Sequence, residues 1–93
     1  MAPDNSGRLG TAQEITVAGT SAAVANAFGT GVRMVRLCST TACRIAFGAA
    51  PTAVATGAYL PANAPENFVV NPGEKVAAIQ ESAGGKLSVV EIE

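Results

Sequence analysis

Apolar and polar residues alternate along short stretches of this chain, and turn residues separate the stretches. Gln13 to Val17 (QEITV) alternates with β-branched members and predicts a first strand. Val32 to Cys38 (VRMVRLC) and Cys43 to Phe47 (CRIAF) predict two more, joined by Ser39-Thr40-Thr41-Ala42, a length that suits a hairpin. Setting Cys38 opposite Cys43 in such a hairpin places Arg36 opposite Ile45 and Leu37 opposite Arg44. Both faces then carry apolar residues and an arginine, as in a sheet that packs on one side and meets a partner on the other. Asn67 to Val70, Lys75 to Gln80 and Lys86 to Ile92 predict the remaining strands. They are divided by the Asn71-Pro72-Gly73-Glu74 turn and by Glu81-Ser82-Ala83-Gly84-Gly85.

Three stretches break the alternation. Residues 1–12 (MAPDNSGRLGTA) are rich in turn formers and read as a flexible N-terminal arm, leaving 13–93 as a single β domain. Ser21 to Phe28 (SAAVANAF) has a possible helix cap and four alanines, but Gly29-Thr30-Gly31 ends it within two turns, so strand or irregular chain is expected. Gly48 to Ala64 has no period and two prolines, Pro51 and Pro61. It predicts a long loop with at most an edge strand at Ala53 to Ala55. The whole pattern is that of an all-β fold, a small β-sandwich or barrel of jelly-roll or immunoglobulin-like type. About 6–8 short antiparallel strands are expected, with turn signals about every 8–12 residues.

Composition changes this picture in one respect. Of 93 residues 48% are hydrophobic, but 19 are alanine, which buries little area per residue. The core is therefore expected to be thin and the isolated chain weakly stable, with partners supplying further burial. Charge and residue usage narrow the function. The absence of histidine removes histidine-based acid–base and triad chemistry, and two cysteines without histidine do not make the usual zinc site. The net charge of −1 and six basic residues leave no basic stripe for nucleic acid. No apolar run is long enough to span a membrane, and the first residues lack the pattern of a signal peptide. No catalytic residues, metal site or cofactor are expected.

The side chains that remain candidates are few. Cys38 and Cys43 lie at the mouth of the expected hairpin, where a cross-strand disulfide is the minority reading and two small apolar thiols the favoured one. Glu66, Glu74, Glu81, Glu91 and Glu93 read as solvated turn or terminal carboxylates. Arg33, Arg36 and Arg44, three of the four arginines, share the expected hairpin. They read either as ordinary exposed sheet charge or as an interface.

The segment order carries a resemblance. Gly31-Val32-Arg33-Met34-Val35-Arg36 leads into Arg44-Ile45-Ala46-Phe47-Gly48, then Pro51-Thr52-Ala53-Val54-Ala55-Thr56 and Tyr59-Leu60-Pro61-Ala62. Glu66 to Ile79 (ENFVVNPGEKVAAI) and Lys86-Leu87-Ser88-Val89-Val90-Glu91 follow. Over residues 31–91 this resembles a group of small tailed-bacteriophage virion proteins, although Glu91-Ile92-Glu93 stands where their Gly-rich terminus is usual. The resemblance implies a non-enzymatic head decoration, or cement, protein that binds the major capsid protein and bridges its neighbouring subunits. It would be made in the host bacterial cytoplasm and located on the capsid surface, as a homotrimer or, second, a dimer. Tyr59, Leu60 and Phe68 then join the three arginines as interface candidates. A tail, neck or fibre-associated β-module with an adaptor or receptor-binding role is the alternative. A small enzyme or ligand-binding barrel is a third reading, disfavoured by four aromatics and no histidine.

Overall fold

The computed structural model describes residues 9–92. Eight strands form: β1 (Leu9–Val17), β2 (Ala22–Ala23), β3 (Met34–Ser39), β4 (Cys43–Gly48), β5 (Ala58–Leu60), β6 (Glu66–Val69), β7 (Lys75–Gln80) and β8 (Gly85–Ile92). They build two antiparallel four-stranded sheets, β1-β8-β3-β6 (sheet A) and β2-β7-β4-β5 (sheet B). The architecture is a small β-sandwich. The inward residues of both sheets make one core, including Ile15, Val17, Val35, Leu37, Ile45, Leu60, Val76, Leu87 and Val89.

β3 and β4 do not form a hairpin. They belong to different sheets, and the four residues between them are an arch across the sandwich. The reason lies in the alternation. A hairpin mixes each strand's arginine with the other's apolar face, whereas an arch lets Val35 and Leu37 face Cys43 and Ile45 across the core. Ser39 makes the arch. Fully buried, its hydroxyl donates to the Thr41 carbonyl (2.6 Å) and accepts from the Thr41 N–H (3.2 Å). Its own carbonyl accepts from Asn63 N–H at 2.7 Å. The β7–β8 arch crosses back through Gly84, where a Cβ would lie 2.9 Å from the Val17 carbonyl oxygen. Between β6 and β7, Asn71-Pro72-Gly73-Glu74 is a turn closed by Glu74 N–H to Asn71 O (3.2 Å). Gly73 takes φ +87°, as the third residue of a type II turn requires.

Other expectations shift. Strand β1 begins at Leu9, inside the segment expected as an arm, and pairs with β8 from Leu9↔Ile92, with a register shift before Ala12. The rest of that segment, 1–8, lies outside the described residues. Ser21 to Phe28 is irregular chain around the two-residue β2, in line with its expected strand or irregular character. The edge strand of the long loop is Ala58–Leu60, not 53–55.

Glu91 is a further correction. Leu87, Val89 and Glu91 alternate onto the inward face of β8, so Glu91 is buried (7% exposed) rather than solvated. Its Oε2 accepts the Gly29 N–H at 3.2 Å and ties the 24–32 segment to the end of the sandwich. Glu93 lies outside the described residues.

Candidate interaction surface

The outward faces of the two sheets differ in what covers them. On sheet B the 49–57 loop leaves β4 and reaches the far edge, where Ala53 N–H donates to Ser21 Oγ at 2.8 Å beside β2. It then returns to β5 at the opposite edge. The inward face is filled by sheet A, so this excursion crosses the outer face, over β7. The residues beneath are small: Ala23, Ala77 and Ala46 share one register row. Ala77 and Ala53 are buried, at 0% and 3% exposure, yet lie outside the main core. Ala77, buried on the outward row, and Ala53, buried in the loop, mark where the loop covers this face as a third layer, while Ala23 at the edge stays exposed.

Sheet A has no such cover among the described residues. Its register aligns Val69 (β6), Met34 (β3) and Ile92 (β8) in one outward row, and Asn67, Arg36, Val90 and Ala12 in the next. Val69 is 80% exposed, while Met34, Ile92 and Val90 are half-buried. Beyond them the face turns polar, with Cys38 and Ser88, then Lys86, Thr16 and Glu14. The result is a flat apolar strip at one end of a sheet with Arg36 exposed beside it. Apolar strips flanked by arginine have the makeup of protein–protein contacts.

The arginines expected to act together are separated by this geometry. Arg33 is exposed just before β3 and Arg36 lies on the outer face of sheet A, while Arg44 lies on the outer face of sheet B. Arg44 is engaged within its own chain. Its Nε bonds Glu81 Oε1 at 2.9 Å, a second nitrogen donates to Gly57 O at 3.2 Å, and its guanidinium stacks 4.9 Å from the Tyr59 ring centre. The hydrogen bond to Arg44 holds the Glu81 carboxyl below the usual carboxylate range and raises Arg44 in return. Tyr59 is half-exposed as the outer wall of that stack.

Leu60 is fully buried in the core, opposite Cys43, and so does not face a partner. Phe68 is half-buried against Phe47, their ring centres 5.5 Å apart. Cys38 and Cys43 are free thiols. Cys38 points out of sheet A, whereas Cys43 lies in the core, where burial pushes its thiol up against the opposing hydrogen bond from Ser39.

No family model matches the chain, and no curated protein or solved structure matches it either.

Met34, Val69, Val90 and Ile92 were not among the sequence-level candidates. A signal was present: the apolar doublets Met34-Val35, Phe68-Val69, Val89-Val90. A strand with one dry face alternates, and adjacent apolar residues mark a strand that has apolar groups on both faces.

Proposed function

We propose that this chain is a non-enzymatic phage virion protein that decorates and cements the capsid, docking on the major capsid protein through the outer face of sheet A. The observation that carries the reading is the Val69–Met34–Ile92 strip with Arg36 beside it. The strip sits on a paired sheet, so little ordering entropy is lost on contact. The sequence resemblance over residues 31–91 supplies the partner. Bridging follows from repetition, since many copies on a closed shell hold neighbouring subunits with modest affinity each.

The test adds purified protein to expanded phage capsids that lack it. Saturable binding and survival of the shells at higher temperature are expected. Failure to bind, or binding with no gain in heat resistance, overturns the proposal. Immunogold labelling of the virion separates this reading from a tail or neck module, which would place the label away from the head.

A further inference from the structure

Sheet A ends at β6, and the hydrogen-bonding pattern shows which groups that edge presents. Val70 N–H donates to Arg33 O at 2.9 Å. In an antiparallel ladder the bonded positions alternate, so Glu66, Phe68 and Val70 turn their backbone groups toward β3. Asn67 and Val69 turn theirs outward. Among the described residues no backbone partner meets them.

The other three edges are blunted. The register of β1 shifts between Leu9 and Ala12. The Gln13 side chain on β1 also holds the 24–32 segment in place, bonding both N–H and C=O of Asn26 at 3.0 Å. β2 has two residues, and β5 has three and runs into Pro61. These are the devices that keep edges from pairing. β6 is also short, four residues after Pro65, but Asn67-Phe68-Val69 has no proline, register shift or covering segment among the described residues, and it carries the most exposed large apolar side chain, Val69.

We propose that a second copy of this chain adds to the β6 edge, antiparallel, about a twofold axis at Phe68. The register follows from the outward groups. Asn67 and Val69 exchange N–H···O=C bonds with the partner's Val69 and Asn67, and the two Phe68 residues face each other. Charge fits this register. Glu66 and Arg33 are exposed at opposite ends of the edge. The antiparallel twofold sets Glu66 opposite the partner's Val70, whose neighbour across the ladder is the partner's Arg33. Two strand spacings, about 10 Å, separate the backbones, within reach of both side chains. The pairing occurs twice and no like charges meet.

The product is one eight-stranded sheet whose two apolar strips adjoin at the centre of a single outer face. A twofold edge contact closes at two copies, so it favours a dimer over the trimer that the resemblance implies. The inference does not depend on the capsid reading, because it is tested on the purified protein alone.

Sedimentation of the full chain over a micromolar-to-millimolar series should show the mass doubling. Val69→Lys, Glu66→Arg and Arg33→Glu should each raise the dimer dissociation constant, Val69→Lys by about tenfold. The double reversal Glu66→Arg/Arg33→Glu should recover most of the loss, which a merely structural role would not produce. Amide exchange on the unaltered chain gives a second reading. The Asn67 and Val69 amides should exchange fast when dilute and slowly when concentrated, while Phe68 and Val70 stay protected throughout. A monomer or trimer across the series, a dimer indifferent to Val69→Lys, or Asn67 and Val69 amides insensitive to concentration overturns the proposal.

Discussion

The two outer faces of the sandwich solve the same problem in opposite ways. Sheet B covers part of its outer face with its own 49–57 loop, where Ala77 and Ala53 are buried while Ala23 and Tyr59 stay exposed. Among the described residues, nothing covers the outer face of sheet A, where Val69 is open and Met34 and Ile92 are half-buried beside it. The difference teaches how to read alanine in this chain. Its abundance is not simply a missing core, because Ala77 and Ala53 are buried outside it, and the most exposed large apolar side chain, Val69, lies on sheet A, while Val54 and Tyr59 are half-exposed on the sheet B side. Substitutions on sheet B's face should therefore cost folding, and substitutions on sheet A's face should cost assembly.

The largest expected effect comes from enlarging Ala77 under the loop. Ala77→Leu adds volume between β7 and the loop and should destabilise the fold by about 1–3 kcal/mol. The fall should appear in thermal melting, with faster amide exchange in residues 49–57. A melt like the unaltered protein's would mean that the loop does not press on the sheet. Next is the loop's anchor. Ser21→Ala leaves the Ala53 N–H without its acceptor, which should cost about 1 kcal/mol and speed exchange at that amide most.

These effects mark what the sequence disclosed. The strands at Gln13–Val17, Cys43–Phe47 and Lys75–Gln80 were legible because local alternation dictates them. The β3–β4 arch was not, since a four-residue link serves a hairpin or a crossover equally. The deciding term was which faces share a core, a non-local quantity. Glu91 illustrates the same limit. Its alternation with Leu87 and Val89 sets it inward, but only the fold brings the Gly29 N–H within 3.2 Å to donate to its carboxylate. Among the interface candidates, the exposure of Arg36 followed from its strand. The burial of Leu60 and the capture of Arg44 by Glu81 and Tyr59 depend on residues far along the chain.

A smaller effect tests the closed side through pH. Arg44 lowers the Glu81 carboxyl in the folded state. A carboxyl lowered on folding stabilises above its unfolded titration range, and that contribution disappears as pH falls through the folded one. The melting temperature of the unaltered protein should therefore exceed that of Glu81→Gln at neutral pH. The gap should stay level down to about pH 5 and close below the ordinary glutamate range, near about 4.3. A gap that persists at pH 2 would show that Glu81 acts through packing rather than charge.

The central claim is that the open face of sheet A is the face used for assembly. Its most direct measurement compares capsid binding by the unaltered chain and by Met34→Lys, which places a charge in the middle of the strip without touching the core. The two proteins should melt within about 0.5 kcal/mol of each other in stability, and Met34→Lys should bind expanded capsids about tenfold more weakly or worse. Equal binding by two equally stable proteins would contradict the account.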